Sequence, residues 1–246
     1  MGCRRSAFRL AVLSALVFMS AVAMAQNSIV FTTEDYPPYN FRENGVDKGV
    51  GYEQVVLIMK ELSIPYTIEM MPWARAIAMA ETETMTCVFT AAHIPEREGR
   101  FKWVEPLAID RNIIMSSKQS GIQVRNVEEA RKYIVGTQRD DYTQALLERQ
   151  GFPRIDLAAN LDLTIKKLES GRIDLMPVSE KFYHKLVEEG HPLEQQFVLT
   201  EQKFAIACNK DMPDTLVAQM QKALDRLIAD GTQARISLQY GLLQPR

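Results

Sequence analysis

Strand-like and helix-like segments alternate along this chain, pause near its middle, and then alternate again. Residues 28–32 (SIVFT) read as a strand, followed by the turn-rich EDYPPYNFRENG, whose Asn44-Gly45 pair suits a tight turn. Residues 52–62 carry apolar side chains at 55, 56, 59 and 62, the one-sided period of a helix. Pro65 ends that helix. Residues 66–70 are the next strand, 74–81 a helix and 85–89 a strand. Such an order demands a mostly parallel sheet with helices on its faces, because each crossover must return the chain to the same end.

The second block repeats the logic. Residues 113–115 and 133–135 read as strands around a helix at 127–132. A helix at 142–150 closes at Gly151, a short strand covers 155–157, and a helix at 161–168 ends at Ser170-Gly171. A strand at 173–176, a helix at 180–189 and a strand at 204–208 follow. The chain then enters an amphipathic helix at 214–229, with Leu216, Met220, Ala223, Leu224, Leu227 and Ile228 on one face and Gly231 beyond it. No Gly/Ser-rich or Pro-rich linker separates the blocks. The expectation is two α/β lobes joined by short strand-like crossings near 105–112 and 198–204, with a cleft between them and a hinge beneath.

The N-terminus reads as an export signal. Arg4, Arg5 and Arg9 precede the apolar LAVLSALVFMSAVAMA, and Ala23-Met24-Ala25 is a cleavage pattern before Gln26. The apolar run is short for a membrane anchor, and Cys3 lies on the wrong side of it to be a lipoprotein cysteine. Removing that segment takes the formal charge from −2 to −5, a mildly acidic balance that argues against nucleic acid and anionic membranes as partners. In the exported chain Cys87 and Cys208 are either one disulfide or two buried thiols. His93, His184 and His191 have no metal-ligand spacing, so neither a metal site nor a cofactor is expected.

YPPYNF, KGVGYEQVV, HIPEREGRFKWVEPL, ESGRIDLMP and the terminal MQKALDRLIADGTQARISLQYGL resemble, in that order, the extracellular solute-binding proteins of family 3. These are the periplasmic receptors of polar amino-acid ABC importers. The resemblance implies a two-lobed α/β periplasmic binding protein type II fold, each lobe a mixed, mostly parallel sheet flanked by helices. It places a signal peptide at 1–25, one lobe at 26–107 plus 204–246, and the other at 108–203. It further implies a monomeric periplasmic receptor that passes a small solute to an inner-membrane ABC permease, or a sensor that uses the same lobe closure to signal; the sequence does not separate the two.

The resemblance also nominates site residues. The family's arginine that grips the ligand α-carboxylate falls on Arg97, and a guanidinium is a planar, permanently charged fork that matches a carboxylate with two donors. Tyr36 falls where an aromatic covers the ligand, and Trp73 where an aromatic stacks on its side chain. Phe89 and Thr90 match a strand end whose backbone contacts ligand, and Arg75 is an additional cleft candidate. In the second lobe Gln138, Asp141 and Tyr142 occupy the helix-opening segment, and Ser179 stands where amino-acid binders carry an aspartate for the α-ammonium. Either Asp141 or Glu180 takes over that contact or the ligand is not an ordinary α-amino acid, and Asp140 and Asp141 read equally well as helix-capping carboxylates. Ala92 replaces a hydroxyl residue, a further departure. A second function class stays open: exported cyclohexadienyl dehydratases resemble the same receptors, and Glu34, Asp35, Asp141 and Glu180 are conceivable acids.

Overall fold

The computed structural model describes residues 28–243; the expected signal peptide lies outside them. Ten strands and eight α-helices follow in chain order. The first half holds β1 (Ile29–Thr33), β2 (Phe41–Glu43), β3 (Val46–Lys48), α1 (Val50–Leu62), β4 (Tyr66–Met70), α2 (Trp73–Thr82), β5 (Thr86–Ala92) and β6 (Phe101–Ser117). The second half holds α3 (Val127–Ala130), β7 (Val135–Gln138), α4 (Tyr142–Arg149), β8 (Ile155–Ala158), α5 (Leu161–Glu169), β9 (Met176–Ser179), α6 (Glu180–Glu188), β10 (Leu193–Asn209), α7 (Asp214–Ala229) and α8 (Thr232–Gln239).

β1 pairs in parallel with β4 on one side and β5 on the other, so the loops leaving β1 and β5 emerge at one edge. β10 adds antiparallel to β5, β6 antiparallel to β10, and β9 antiparallel to β6. β7 and β8 form a separate parallel pair, tied in through a Val135–Leu175 bridge. β2 and β3 close a hairpin whose turn residues, Asn44 (φ 53°) and Gly45 (φ 79°), both take the left-handed conformation that a tight two-residue turn requires.

β6 and β10 are the spine. They pair from Phe101–Asn209 to Ser117–Leu193, and both crossings anticipated from sequence, near 105–112 and 198–204, fall inside them. At one end, α1 and α7 cover a core of Ile29, Phe31, Val55, Phe89, Met220 and Leu224. At the other, α5 and α6 cover Ile113, Met115, Ile165, Phe182 and Leu193. Cys87 on β5 and Cys208 on β10 are a direct cross-strand pair and are disulfide-bonded, which resolves the alternative left open above.

Four local expectations are corrected. Ile228 is 40% exposed: its helical angle puts it at the margin of the Leu216–Leu227 stripe. The strand at 173–176 lies later, at Met176–Ser179, because the Asp174 side chain and backbone are occupied with Ile134. Pro177 is accommodated there since β9 is an edge strand. The helix expected at 127–132 covers only Val127–Ala130, and α8 had no sequence counterpart.

Candidate functional site

The loops leaving β1 and β5 meet the loop leaving β7 across the cleft, the position where open α/β sheets bind ligands. Arg97 ends a single helical turn, Pro95–Arg97, that follows β5, and proline at its first position costs no backbone donor. The turn carries the guanidinium inward, and Arg97 is 3% exposed. Nη1 donates to the Ala92 carbonyl (3.2 Å) and Nη2 to the Asp140 carbonyl (2.7 Å). Its bonding partners are thus backbone dipoles rather than carboxylates. Burial pulls its pKa down to about 10, with Asp141 the largest opposing influence, so it stays charged at neutral pH.

Trp73 opens α2. Its indole faces the guanidinium at 5.3 Å and donates to the same Asp140 carbonyl at 2.8 Å. Asp140 holds φ at 59°, a left-handed conformation that aspartate tolerates better than most residues. Thr90 sits at a bulge in β5: Ala91 pairs with Ala205 and Phe89 with Ile206, leaving Thr90 unpaired at φ 58°. A β-branched residue there is strained, and such strain clusters at binding sites. Its Oγ1 is buried without a partner.

Glu34 leaves β1 on the same edge. Gln138, the last residue of β7, donates its Nε2 to both Glu34 carboxylate oxygens at 3.0 Å, while the Gln138 Oε1 is buried without a partner. Burial first, and then the negative Asp141 nearby, push Glu34 up to about 8. Tyr36 accepts a hydrogen bond at its hydroxyl from the Ser179 backbone N–H (3.0 Å). Arg149 and Glu96 pair at 2.5 Å at the lip. The enclosed space among Glu34, Tyr36, Gln138, Asp141 and Tyr142 measures about 20 Å³. Glu34 also lines a separate cavity of about 280 Å³, with Asp35, Arg42, Met70, Met71, Leu161 and Asp162. An amino acid exceeds the enclosed space, so admitting one requires the lobes to part.

The bacterial extracellular solute-binding protein, family 3, model matches residues 29–242. The chain belongs to that family. No curated protein matches this sequence significantly. Several solved structures share the fold. A histidine kinase sensor domain with similarity to periplasmic binding proteins aligns at TM-score 0.79 and 19% identity, covering 87% of this chain and 95% of its own. The arginine-, lysine-, histidine-binding protein ArtJ of Geobacillus stearothermophilus aligns at 0.77 and 17%, covering 89% and 97%. The ancestral amino acid-binding protein AncCDT-1, a precursor of cyclohexadienyl dehydratase, aligns at 0.76 and 18%, covering 88% and 96%.

In this family 3 protein the structure brings Arg97, Trp73, Tyr36, Gln138, Asp141 and Ser179 together at the meeting of the lobes, with Thr90 beneath the β5 edge. Others are placed elsewhere. The Phe89 side chain is fully buried in the core under α1, and its carbonyl accepts from Thr33. Arg75 is exposed rather than turned into the cleft, because it lies on the polar side of α2 while Trp73, Ala76 and Ile77 take the buried face. Tyr142 does line the enclosed space with the first group, its hydroxyl accepting from Asn112 at 2.6 Å and its ring edge-on to Phe204.

The replacement ammonium acceptors fare differently. Asp141 caps α4, accepting from the Thr143 N–H (2.9 Å) and hydroxyl. Glu180 is taken by a two-pronged pair with Arg111 at 2.8 and 2.6 Å. Ser179 caps α6 through its hydroxyl. The acid that sequence reading passed over as a binding residue is Glu34. Its signal was position alone, a carboxylate directly after a buried strand, in a run where Asp35 looks equivalent and is exposed.

Proposed function

We propose that this protein is an exported receptor that captures a small carboxylate-bearing solute, an amino acid or a related compound, between two closing lobes. Residues 26–107 with 204–246 form one lobe and 108–203 the other, and the closed shape is what an inner-membrane ABC permease recognises. A single observation carries the reading. Arg97 is a buried cation at the meeting of the lobes, bonded only to carbonyls and flanked by an indole. A solute carboxylate replaces the Asp140 carbonyl with a charged, two-pronged partner and so converts a desolvated charge into a satisfied one. The solutes named for ArtJ and the other fold relatives belong to those proteins. The test is a thermal-shift screen of amino acids, dicarboxylates and amines, in which at least one carboxylate raises the melting temperature.

One observation favours a second reading, an enzyme on the same scaffold. Glu34 is an acid held largely protonated at neutral pH inside the cleft, the state a general acid needs to protonate a leaving hydroxyl. Incubation with prephenate or arogenate separates the two: aromatic product supports the enzyme, unchanged substrate the receptor.

A further inference from the structure

Among the enclosed acids of the described cleft, as distinct from the exposed Asp35, Asp140 and Asp162, one has no structural duty. Asp141 caps a helix, Glu180 neutralises Arg111, and Asp110 accepts from Tyr39 and from the backbone N–H of Arg111 and Lys181. Glu34 has only Gln138, a neutral donor from the opposite lobe. Gln138 itself is 3% exposed and keeps its Oε1, an acceptor, unpaired in the same enclosed space. Two acceptors, one a carboxylate, therefore line one space. At the Arg97 end, by contrast, donors outnumber the acceptors.

We propose that Glu34, steadied by Gln138, accepts a cationic nitrogen of the solute, so that the ammonium site of this receptor lies on the first lobe instead of the position of Ser179. The proposal rests on the carboxylate reading of Arg97, since it assigns the other end of the same solute. It defines the substrate class as a molecule with both a carboxylate and a protonated amine or guanidine. The cavity that Glu34 lines with Met70, Met71 and Leu161, and with the charged Asp35, Arg42 and Asp162, accommodates a polar-tipped side chain if the nitrogen at Glu34 is the α-ammonium.

The assignment has a protonic consequence. Glu34 faces Asp141, Asp35 and the Tyr36 hydroxyl, with Arg97 the cation acting on it. At pH 7 it carries its proton; a bound cation lowers its pKa, so the carboxyl O–H ionises and the proton passes to buffer. Affinity then falls roughly tenfold for each pH unit below about 8.

The experiment is calorimetric titration of the mature protein and of Glu34→Gln with L-alanine, L-arginine, γ-aminobutyrate, putrescine and succinate, across this pH range and in two buffers of different ionisation enthalpy. The expected result is binding of an amino carboxylate with release of close to one proton at neutral pH. Glu34→Gln abolishes the release and weakens binding at least about tenfold at pH 8. L-alanine against L-arginine and γ-aminobutyrate distinguishes an α-ammonium from a distal cation. Binding of succinate alone overturns the proposal and leaves the Arg97 reading standing. Putrescine binding that survives Arg97→Ala overturns the carboxylate reading and, with it, the proposed amino-carboxylate class. An amine-bearing ligand indifferent to Glu34→Gln, or silence across the panel, overturns the proposal.

Discussion

The guanidinium of Arg97 lies 5.3 Å from the indole of Trp73, and both groups donate to one oxygen, the carbonyl of Asp140 across the cleft. Two donors from one lobe thus hold a single backbone acceptor of the other, and a solute carboxylate competes for that oxygen's place. Ligand binding and lobe contact draw on the same donors.

Trp73 follows as a reporter. The chain has two tryptophans, Trp73 in the cleft and Trp103 stacked on His93 at 4.0 Å. Trp73→Phe keeps an aromatic face over Arg97 and loses the N–H donor. It should remove the fluorescence change seen on ligand addition and weaken binding by about 1 kcal/mol, the worth of one neutral hydrogen bond. An unaltered fluorescence response contradicts its place in the site.

Glu34→Gln should stabilise the ligand-free protein, and only at higher pH. The folded state raises the Glu34 pKa from 4.5 to about 8, so between those values it holds a proton that the unfolded chain has lost. Stability therefore declines as pH rises through this window, and the substitution recovers the loss. The gain at pH 8 is at most about 5 kcal/mol, shrinking to under about 1 kcal/mol at pH 5. Denaturant unfolding of both proteins at the two pH values checks it; an equal effect at both contradicts the buried-acid assignment.

Removing the disulfide should cost stability and spare recognition. The Cys87–Cys208 bond spans 121 residues and lies in the core beneath α1 and α7. The chain-entropy account gives a loss of about 4–5 kcal/mol for a loop of that length. Melting curves of Cys87→Ala/Cys208→Ala should shift down strongly, while ligand affinity measured well below the new melting temperature changes little.

The lip ion pair should matter least. Arg149 and Glu96 are each some 40% exposed, and exposed pairs contribute only about 0–1 kcal/mol. Arg149→Ala should leave melting temperature and affinity nearly unchanged at physiological salt, measured by thermal shift and titration.

The α/β alternation was readable because its signals are local: the period at 55, 56, 59 and 62, the Asn44-Gly45 turn and the capping residues each act within a few positions. The pairing of β6 with β10 along their full lengths was not, since it joins segments about a hundred residues apart and polar, partly exposed residues interrupt the apolar runs of both strands. The same distinction divides the site. Arg97, Trp73 and Tyr36 sit in motifs with a recognisable order. Glu34 gains its character from burial, and then from Asp141 and Gln138, which the fold brings from the other lobe, so no pattern within EDYPPY separates it from Asp35. Asp141 caps its own helix through the nearby Thr143, the alternative stated from sequence, while Glu180 is engaged by Arg111, a distant partner that charge-counting along the chain does not weigh.

The most direct test of solute capture by Arg97 is calorimetric titration of wild type and Arg97→Ala with a carboxylate found by the thermal-shift screen. The ligand-free melting temperature should change little, because relief of the desolvated charge offsets the packing lost against Trp73. Binding should weaken by about 2–5 kcal/mol, the cost of removing one partner of a buried charged pair. Wild-type affinity in Arg97→Ala would contradict the account.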